Sequence, residues 1–371
     1  MSNLYSGIRR IQDQTQRDRC AQRLLAMRQR LAPLRARRSD STLMLATWNI
    51  RDFGAGRLNP SPRLPETFFY LAEIVSCFDL VALQEVNRRL TDFERLVGIL
   101  GPAWDYLLTD TTEGTSGNGE RMAFLYRRDK VRFARIAGEI VLPQGQTIVS
   151  GEKVMPPDQA DPNDPASDAS GADTGQQFAR TPFLVAFQAG WFRFNLCTVH
   201  IYYGTESGAG LQRRIGEIRA LVDFLARRQD AENRGLARPQ SAQNYILLGD
   251  FNVVSPQHET MAALLRKGFR VPEQIDAEHL PDRNHFYDQV AVRVKDPRFL
   301  TTDGGIVDVY ADVFTDDDLD LYLAEIPDTV KGPTPLARFQ RWRTWQMSDH
   351  SPLWVQVQTD YSDSYLADIT T

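Results

Sequence analysis

A carboxylate and an amide follow a short, almost wholly apolar run at residues 245–248. Gly249, Asp250, Phe251 and Asn252 come directly after this run, which is typical of a buried strand that opens into a turn. Because residues two apart on a strand point to the same face, Asp250 and Asn252 are expected to project into one cleft. A carboxylate beside an amide suits a site that grips a water or a metal ion and hydrogen-bonds a phosphate oxygen, although the same pair is common in ordinary tight turns.

Two earlier segments also place polar groups at the ends of apolar runs. Residues 43–50 predict the first core strand, with Asn49 and Arg51 on one face at its end. Residues 79–86 predict a second buried strand, and Glu85 lies near its exit. An acid there commonly marks only the point where the chain reaches water, but metal ligands occupy the same kind of position.

The rest of the chain alternates between predicted strands and helices. Strands are predicted at 121–127, 131–136, 180–187, 192–200, 286–292 and 353–357, and helices at 66–78, 91–100, 211–225 and 257–267. The strands at 180–187 and 192–200 are expected to be antiparallel neighbours, and His200 ends the second. Residues 150–177 are rich in Asp, Pro, Ser, Gly and Ala and predict a flexible acidic insertion. An acidic stretch at 312–320 predicts the start of a surface helix.

Residues 1–40 differ from the rest of the chain in charge. They contain ten Arg and three Asp, a charge of +7, which leaves −12 for the remainder of a chain whose net charge is −5. Good helix formers dominate this segment, so a helix packed on the outside of the domain is one interpretation and an arm that docks a partner or nucleic acid is the other. The acidic body argues against tight non-specific DNA coating, but local arginines and a bound cation can reverse the field at a site.

Composition is that of an ordinary globular protein inside the cell. Hydrophobic residues make up 42% of the chain, no apolar run approaches the roughly 18 residues of a membrane span, and the N-terminal region lacks a signal-peptide core. Cys20, Cys77 and Cys197 are odd in number and far apart, which argues against a disulfide framework and a zinc site. We therefore expect a cytoplasmic protein with one large domain and additions.

Taken in chain order, these sites resemble the endonuclease/exonuclease/phosphatase superfamily, the deoxyribonuclease-I-like fold. The motifs that carry the resemblance are Thr47-Trp48-Asn49-Ile50-Arg51, Leu83-Gln84-Glu85-Val86, Val199-His200, Leu248-Gly249-Asp250-Phe251-Asn252, Tyr287-Asp288-Gln289-Val290 and Ser348-Asp349-His350-Ser351-Pro352. The residues of these motifs resemble the deoxyribonuclease I branch most closely, with looser matches at Glu120-Arg121 and Arg180-Thr181-Pro182. Asn87 departs from the pattern, since an arginine is expected there.

The resemblance implies the architecture of an α+β protein. It predicts a four-layer α/β/β/α sandwich of two mainly antiparallel sheets with outer helices, over residues 41–359. Residues 1–40 are then a helical extension and 360–371 a C-terminal tail. The site is expected where the loops of both sheets converge at one edge.

The resemblance also implies roles for individual residues and a divalent cation, Mg²⁺ or Mn²⁺. Glu85 is the expected main metal ligand, supported by Asn49 and Asp349. Asp250 is expected to orient or deprotonate the attacking water, and Asn252 to hold a phosphate oxygen. His350, held by Asp288, and His200, supported by Glu120, are expected to act in acid/base transfer or charge stabilisation. Arg51, Arg121 and Arg180 are expected to bind substrate phosphates.

Several functions fit these residues. A metal-dependent nuclease that cuts DNA, or RNA, is favoured by the arginines near the predicted cleft. A phosphatase or phosphodiesterase for a small molecule, such as an inositol phosphate or a lipid head group, is the alternative, because one fold serves many substrates. A non-catalytic binding module fits less well, since every catalytic-type position holds a competent residue.

Overall fold

The computed structural model describes residues 4–54, 59–112, 119–143, 148, 176–236, 242–280 and 286–370. Apart from Gln176 and Gln177, the predicted insertion at 150–177 lies outside the described residues. Within the described part of the chain, no helix is long and apolar enough to cross a membrane.

Two sheets form the centre of the molecule. The first contains β1 (Thr42–Phe53), β2 (Leu80–Asn87), β3 (Trp104–Leu108), β4 (Glu120–Arg127), β10 (Thr301–Ile306) and β11 (Leu353–Gln358), in the order β10-β11-β1-β2-β4-β3. The second contains β5 (Arg132–Glu139), β6 (Phe183–Ala189), β7 (Phe192–His200), β8 (Tyr245–Asp250) and β9 (Asp288–Arg293), paired in chain order. β1 and β2 are parallel, as are β7 and β8, whereas the other named pairs are antiparallel.

Helices cover the outer faces of both sheets. They are α1 (Gln14–Arg30), α2 (Ala32–Ala36), α3 (Pro65–Val75), α4 (Thr91–Leu100), α5 (Gly208–Glu232), α6 (Glu259–Leu264), α7 (Leu319–Tyr322), α8 (Pro335–Gln346) and α9 (Ser362–Thr370). Residues of α1, α3, α4 and α8 share a core with the first sheet, and residues of α5 and α6 share one with the second. A third core lies between the sheets. The predicted four-layer sandwich is confirmed.

The alternation of side chains along β1 shows how the layers are built. Leu43 and Leu45 belong to the core between the sheets, whereas Met44 and Trp48 belong to the core under the helices. Successive strand residues point to opposite faces, so an apolar residue at every position marks a strand that is covered on both sides. The same reasoning explains why every residue of β8 is buried.

The N-terminal segment packs against the first sheet's helices. Cys20, Leu24 and Met27 of α1 are buried in that core. Its arginines pair with carboxylates of the domain, namely Arg19 with Glu66, Arg23 with Asp318, Arg30 with Asp312, Arg35 with Glu73 and Arg38 with Asp79. The interpretation as a helix packed on the outside of the domain therefore describes this segment.

Some elements differ from the sequence-based prediction. β3, β10, α8 and α9 were not predicted, and the supposed C-terminal tail contains α9. The helix predicted at 257–267 shortens to α6 and a 3₁₀ turn, and the acidic stretch at 312–320 forms a 3₁₀ turn at Asp316–Asp318 before α7. β10 carries Asp303, Gly304 and Gly305, residues that disfavour strands, and its pairing with β11 overrides that preference.

Candidate active site

Strands from both sheets bring Asn49, Glu85 and Asp250 together at one end of the sandwich. Asn49 and Glu85 lie on the neighbouring strands β1 and β2, whereas Asp250 ends β8 in the other sheet. The Asn49 side-chain Nδ2 donates to Glu85 Oε1 at 2.9 Å and to Asp250 Oδ2 at 3.1 Å. Asn49 is fully buried and Asp250 is 2% exposed. This amide therefore links the two sheets at the point where their strand ends converge.

The second sheet aligns three of the predicted residues in one row. His200 on β7 is paired in register with Asp250 on β8, and Asp250 with Asp288 on β9. Gly249 permits the close approach of β7 and β8, because a Cβ at this position would lie 2.2 Å from the Val199 carbonyl oxygen. β7 and β8 therefore approach each other at Gly249 more closely than a residue with a side chain at this position would allow.

Left-handed backbone conformations occur at three positions around this row. Asp52, Glu85 and Asn252 have φ angles of 44°, 60° and 51°. Such positions cost on the order of 1–3 kcal/mol each and are concentrated at functional sites. The Asp52 N–H donates to Glu85 Oε2 at 2.8 Å, which fixes the carboxylate at the end of β2.

Two histidines approach the same carboxylate oxygen from different partners. His350 Nδ1 shares a hydrogen bond of 2.7 Å with Asp288 Oδ2, and its Nε2 lies 3.8 Å from Asp250 Oδ2. His200 Nδ1 shares one of 2.9 Å with Glu120 Oε2, and its Nε2 lies 3.6 Å from the same Asp250 oxygen. Each imidazole is therefore oriented through Nδ1 and presents Nε2 to the centre of the site.

The protonation of this cluster follows from burial and from its charged neighbours. Burial opposes ionisation of Asp250, but His350 and His200 lower the pKa of its carboxyl below the ordinary value. Burial favours the neutral imidazoles, yet Asp288 raises the pKa of His350 well above its ordinary value, and Glu120 raises that of His200. The same contacts thus favour an ionised Asp250 carboxylate and protonated forms of both imidazoles.

Glu120 is itself held by a cation. Arg180 Nε lies 2.7 Å from Glu120 Oε2, the oxygen that contacts His200. Burial would raise the pKa of Glu120, but His200 and Arg180 lower it to about 2. The chain Arg180–Glu120–His200 extends from the cleft wall to Asp250.

The first-sheet residues fit a hard divalent cation. Asn49 Oδ1 is buried without a hydrogen-bond partner, and the Glu85 carboxylate is close enough to accept from the same side chain. Carboxylate and amide oxygens are the donors that Mg²⁺ and Mn²⁺ prefer. Among the described residues, no group of three His, Cys, Asp or Glu forms a metal cluster. Asp349, the third predicted ligand, is 45% exposed on its side chain and pairs with Arg51 at 3.3 Å.

The three predicted phosphate-binding arginines have different environments. Arg180 and Arg121 line a narrow pocket with Glu85, Glu120 and His200. Arg121 also donates to the Thr109 carbonyl at 2.7 Å. Arg51 instead stacks on Trp345, with its guanidinium carbon 3.8 Å from the ring centroid. The structure thus brings two of the three arginines beside His200.

Asn252 and Asn87 have defined partners as well. Asn252 Nδ2 donates to the Ile201 carbonyl at 2.7 Å, which uses one of its two amide hydrogens. Asn87, at the position where an arginine was expected, hydrogen-bonds Asp52. Asn87 therefore supports the turn beside Glu85.

Sequence reasoning assigned no role to several residues that organise the site. Ser348 Oγ donates to the Asn49 carbonyl at 2.6 Å and accepts from the His350 N–H at 3.0 Å, which anchors the His350 loop to β1. Gln84 Nε2 donates across the sheets to Thr198 Oγ1 at 2.8 Å. Ser348 and Gln84 both belong to motifs quoted above. Their position next to predicted site residues in the sequence is the signal that could have identified them.

The fold and this cluster define a class of enzyme that hydrolyses phosphoric esters. The model of the endonuclease/exonuclease/phosphatase family matches residues 46–347, and the chain belongs to this family. Members of the family are phosphoric ester hydrolases that generally use divalent metals. The deoxyribonuclease-I-like architecture and the enzymatic class predicted from the sequence are thereby confirmed.

The chain is similar to several solved structures at low sequence identity. The human Nocturnin catalytic domain with bound sulfate anion is 13% identical with a TM-score of 0.50, and the match covers 86% of this chain and 94% of that chain. A mannosyl-6-phosphatase of Bacteroides thetaiotaomicron is 18% identical (TM-score 0.48; 85% and 99% covered). D. rerio TDP2 complexed with single strand DNA product is 13% identical (TM-score 0.46; 86% and 100% covered). No curated protein matches the chain.

Proposed function

We propose that the protein is a nuclease that hydrolyses DNA phosphodiester bonds with an activated water and a divalent cation. The observation that carries this proposal is the convergence of His200 Nε2 and His350 Nε2 on Asp250 Oδ2, at 3.6 and 3.8 Å. Hydrolysis of a phosphoric ester needs an acceptor for the proton of the attacking water. It also needs hydrogen-bond donors for the phosphoryl and leaving oxygens, on which negative charge gathers. The Asp250 carboxylate can supply the acceptor, and the Nε2 atoms of the two imidazoles can supply the donors.

The roles of these residues follow from their charge. Asp250 orients the water toward phosphorus and takes the proton that the water loses as its oxygen bonds to phosphorus and the bond to the departing oxygen breaks. His200 and His350 donate through Nε2 to phosphate oxygens, and one of them gives its proton to the departing oxygen. Glu120 and Asp288 hold the imidazoles in the required orientation, as carboxylates do in other acid/base pairs.

Asn49 and Glu85 would hold the cation, with Asp349 as the further oxygen donor of the predicted set. When bound, Mg²⁺ or Mn²⁺ supplies positive charge that neutralises the phosphoryl oxygens. The second amide hydrogen of Asn252 is left for a phosphate oxygen of the substrate.

Two arginines support a nucleic acid as the substrate. Arg180 and Arg121 lie in the pocket beside His200, and guanidinium groups suit successive backbone phosphates. Arg180 pairs with Glu120 and Arg121 with Asp110, so each guanidinium would contact a phosphate while it keeps its carboxylate partner. DNA is favoured, and RNA is included in the test.

A substrate panel tests the proposal. The protein is incubated in Mg²⁺ with plasmid DNA, a single-stranded oligonucleotide, RNA and a set of phosphorylated metabolites that includes inositol phosphates and lipid head groups. We expect turnover of DNA, and the Asp250→Asn variant prepared in parallel controls for contaminating nucleases. Turnover of a metabolite without cleavage of any nucleic acid would contradict the proposal.

A further inference from the structure

We propose that the rings of Tyr203 and Tyr287 form a stacking corner for a nucleobase next to the scissile phosphate. This inference rests on the proposed function, because it names the part of a nucleic acid that the cleft holds beyond the phosphate. The corner consists of these two side chains only and adjoins His350.

The two tyrosine rings follow one another from the His350 imidazole. Tyr287 directly precedes Asp288, and its ring centroid lies 6.0 Å from that of His350. The Tyr203 ring lies 6.4 Å from the Tyr287 ring at an interplanar angle of 82°. Two nearly perpendicular rings leave a corner in which a flat ring stacks on one face and meets the edge of the other. A base that occupies this corner therefore contacts the residues next to His350.

Tyr203 is exposed although it is firmly held. Its side chain is 40% exposed, and its hydroxyl donates to Glu206 at 3.3 Å. The Arg214 guanidinium carbon lies 4.5 Å from its ring centroid. The ring is therefore fixed in position while part of its surface remains open to a ligand.

Arg214 fixes the position of Tyr203 relative to the catalytic turn. It is 1% exposed, and it donates to the carbonyls of Tyr203 at 2.8 Å and Asn252 at 3.1 Å. These bonds connect the loop after β7 to the turn after β8, which carries Asn252 and directly follows Asp250. The tyrosine thus has a set position beside the residues that would hold the phosphate.

The division of the cleft favours a nucleobase over other ligands. Arg121 and Arg180 lie in the pocket beside His200, whereas Tyr287 lies beside His350 and Tyr203 beside Tyr287. Both histidines lie within 4 Å of Asp250. A nucleic acid strand has the same two parts, a charged backbone and flat bases, and base stacking on aromatic side chains is independent of sequence. An inositol phosphate or a phosphorylated sugar has charge but no flat aromatic ring to stack.

The test compares substrates that differ only in their bases. A single-stranded oligonucleotide is compared with one of equal length in which abasic tetrahydrofuran residues replace the nucleosides, and kcat/KM is measured in Mg²⁺. We expect Tyr203→Ala to reduce kcat/KM about tenfold more for the base-bearing strand than for the abasic strand, because stacking is lost only in the first. Tyr203→Phe keeps the ring and should behave as the wild type. Tyr365→Ala, an exposed tyrosine on α9, is the matched control and should change neither rate.

A binding measurement covers the case in which Tyr203→Ala does not fold. The folded Asp250→Asn protein is titrated with a trinucleotide containing 2-aminopurine, whose fluorescence is quenched when the base stacks, and quenching is expected. Equal losses on both strands, or no quenching, would overturn the stacking corner while nuclease activity persists. If the wild type cleaves neither strand but hydrolyses a phosphorylated metabolite, the proposed nuclease function itself fails, and the stacking corner with it.

Discussion

Buried carboxylates occur both under the N-terminal helix and in the cleft, but their partners differ. Glu66 on α3 is fully buried and accepts from Arg19 at 3.0 Å and from the Tyr322 hydroxyl at 2.6 Å. Asp250 is nearly as buried, and it faces two imidazoles at 3.6 and 3.8 Å. Burial raises the pKa of Glu66 despite its partners, whereas the histidines lower the pKa of Asp250.

The different partners of Glu66 and Asp250 distinguish a structural ion pair from a carboxylate that can take part in catalysis. A guanidinium stays charged at every accessible pH and forms a fixed fork, so Arg19 only holds Glu66 in place. An imidazole can gain and lose a proton near neutral pH. The Nε2 atoms of His200 and His350 lie beyond hydrogen-bond distance of Asp250 Oδ2, so they can donate to a substrate oxygen instead. We therefore expect substitutions under the helix to change stability and substitutions in the cleft to change turnover.

The largest expected effect is on catalysis. Asp250→Asn or His350→Ala should reduce phosphodiester hydrolysis by roughly 10²–10⁴-fold, because each removes a group that handles the transferred protons or the water. Rates on plasmid DNA in Mg²⁺ measure the loss, and circular dichroism with a thermal scan checks that the fold is retained. A folded variant with a rate near that of the wild type would place the chemistry elsewhere.

A substitution under the helix should show the opposite pattern. Glu66→Ala leaves the Arg19 guanidinium without its buried partner, so the free energy of unfolding should fall by about 3 kcal/mol. Urea unfolding at pH 7, followed by tryptophan fluorescence, measures this change, while kcat/KM should stay within about twofold. Glu94→Ala, an exposed acid on α4, is the control and should change stability by less than about 0.5 kcal/mol. A comparable loss of turnover in Glu66→Ala would remove the distinction between the two regions.

Ionisation of Glu120 in the cleft is expected to make the free energy of unfolding depend on pH. Its pKa is about 2 in the folded protein, below the ordinary value of 4.5, so its ionised form stabilises the fold above pH 4.5 and this contribution is lost as the pH falls toward 2. Between pH 5 and pH 3 the wild type should lose on the order of 2 kcal/mol through this group. Glu120→Gln should therefore lose that much less over the same interval in urea unfolding. Parallel curves for the two proteins would show that Glu120 is not stabilised by His200 and Arg180.

A surface pair of the N-terminal segment should matter least. Arg30 pairs with Asp312, and about a third of the arginine side chain is exposed. Because water and salt screen such pairs, Arg30→Gln should cost less than about 1 kcal/mol of unfolding free energy, and 1 M NaCl should reduce the difference further. Thermal unfolding at low and high salt provides the measurement, and a cost as large as that of Glu66→Ala would contradict this ranking.

The sequence determined the strands that carry chemistry and the residues at their ends. Apolar runs at 43–50, 79–86 and 245–248 predicted β1, β2 and β8, because strands covered on both faces must be apolar at nearly every position. The short edge strand β3 escaped this reasoning, since edge strands need less burial and carry a weaker pattern. α8 did carry a local signal, because Thr334 caps it and Pro335 opens it.

Only the tertiary structure decided the contacts and distances between those residues, although the family resemblance had suggested the two histidine–carboxylate pairs. His200 meets Glu120, 80 positions earlier, and His350 meets Asp288, 62 positions earlier, because the strand order of the two sheets brings their ends to one edge. Strand order and register depend on packing between the sheets, which no local window of sequence contains. The same packing buries Arg214 against backbone carbonyls and turns the N-terminal arginines toward the domain. The residue types were thus legible in the sequence, and the family resemblance suggested the partner of each histidine, while the distances and pKa shifts depend on contacts that the fold creates.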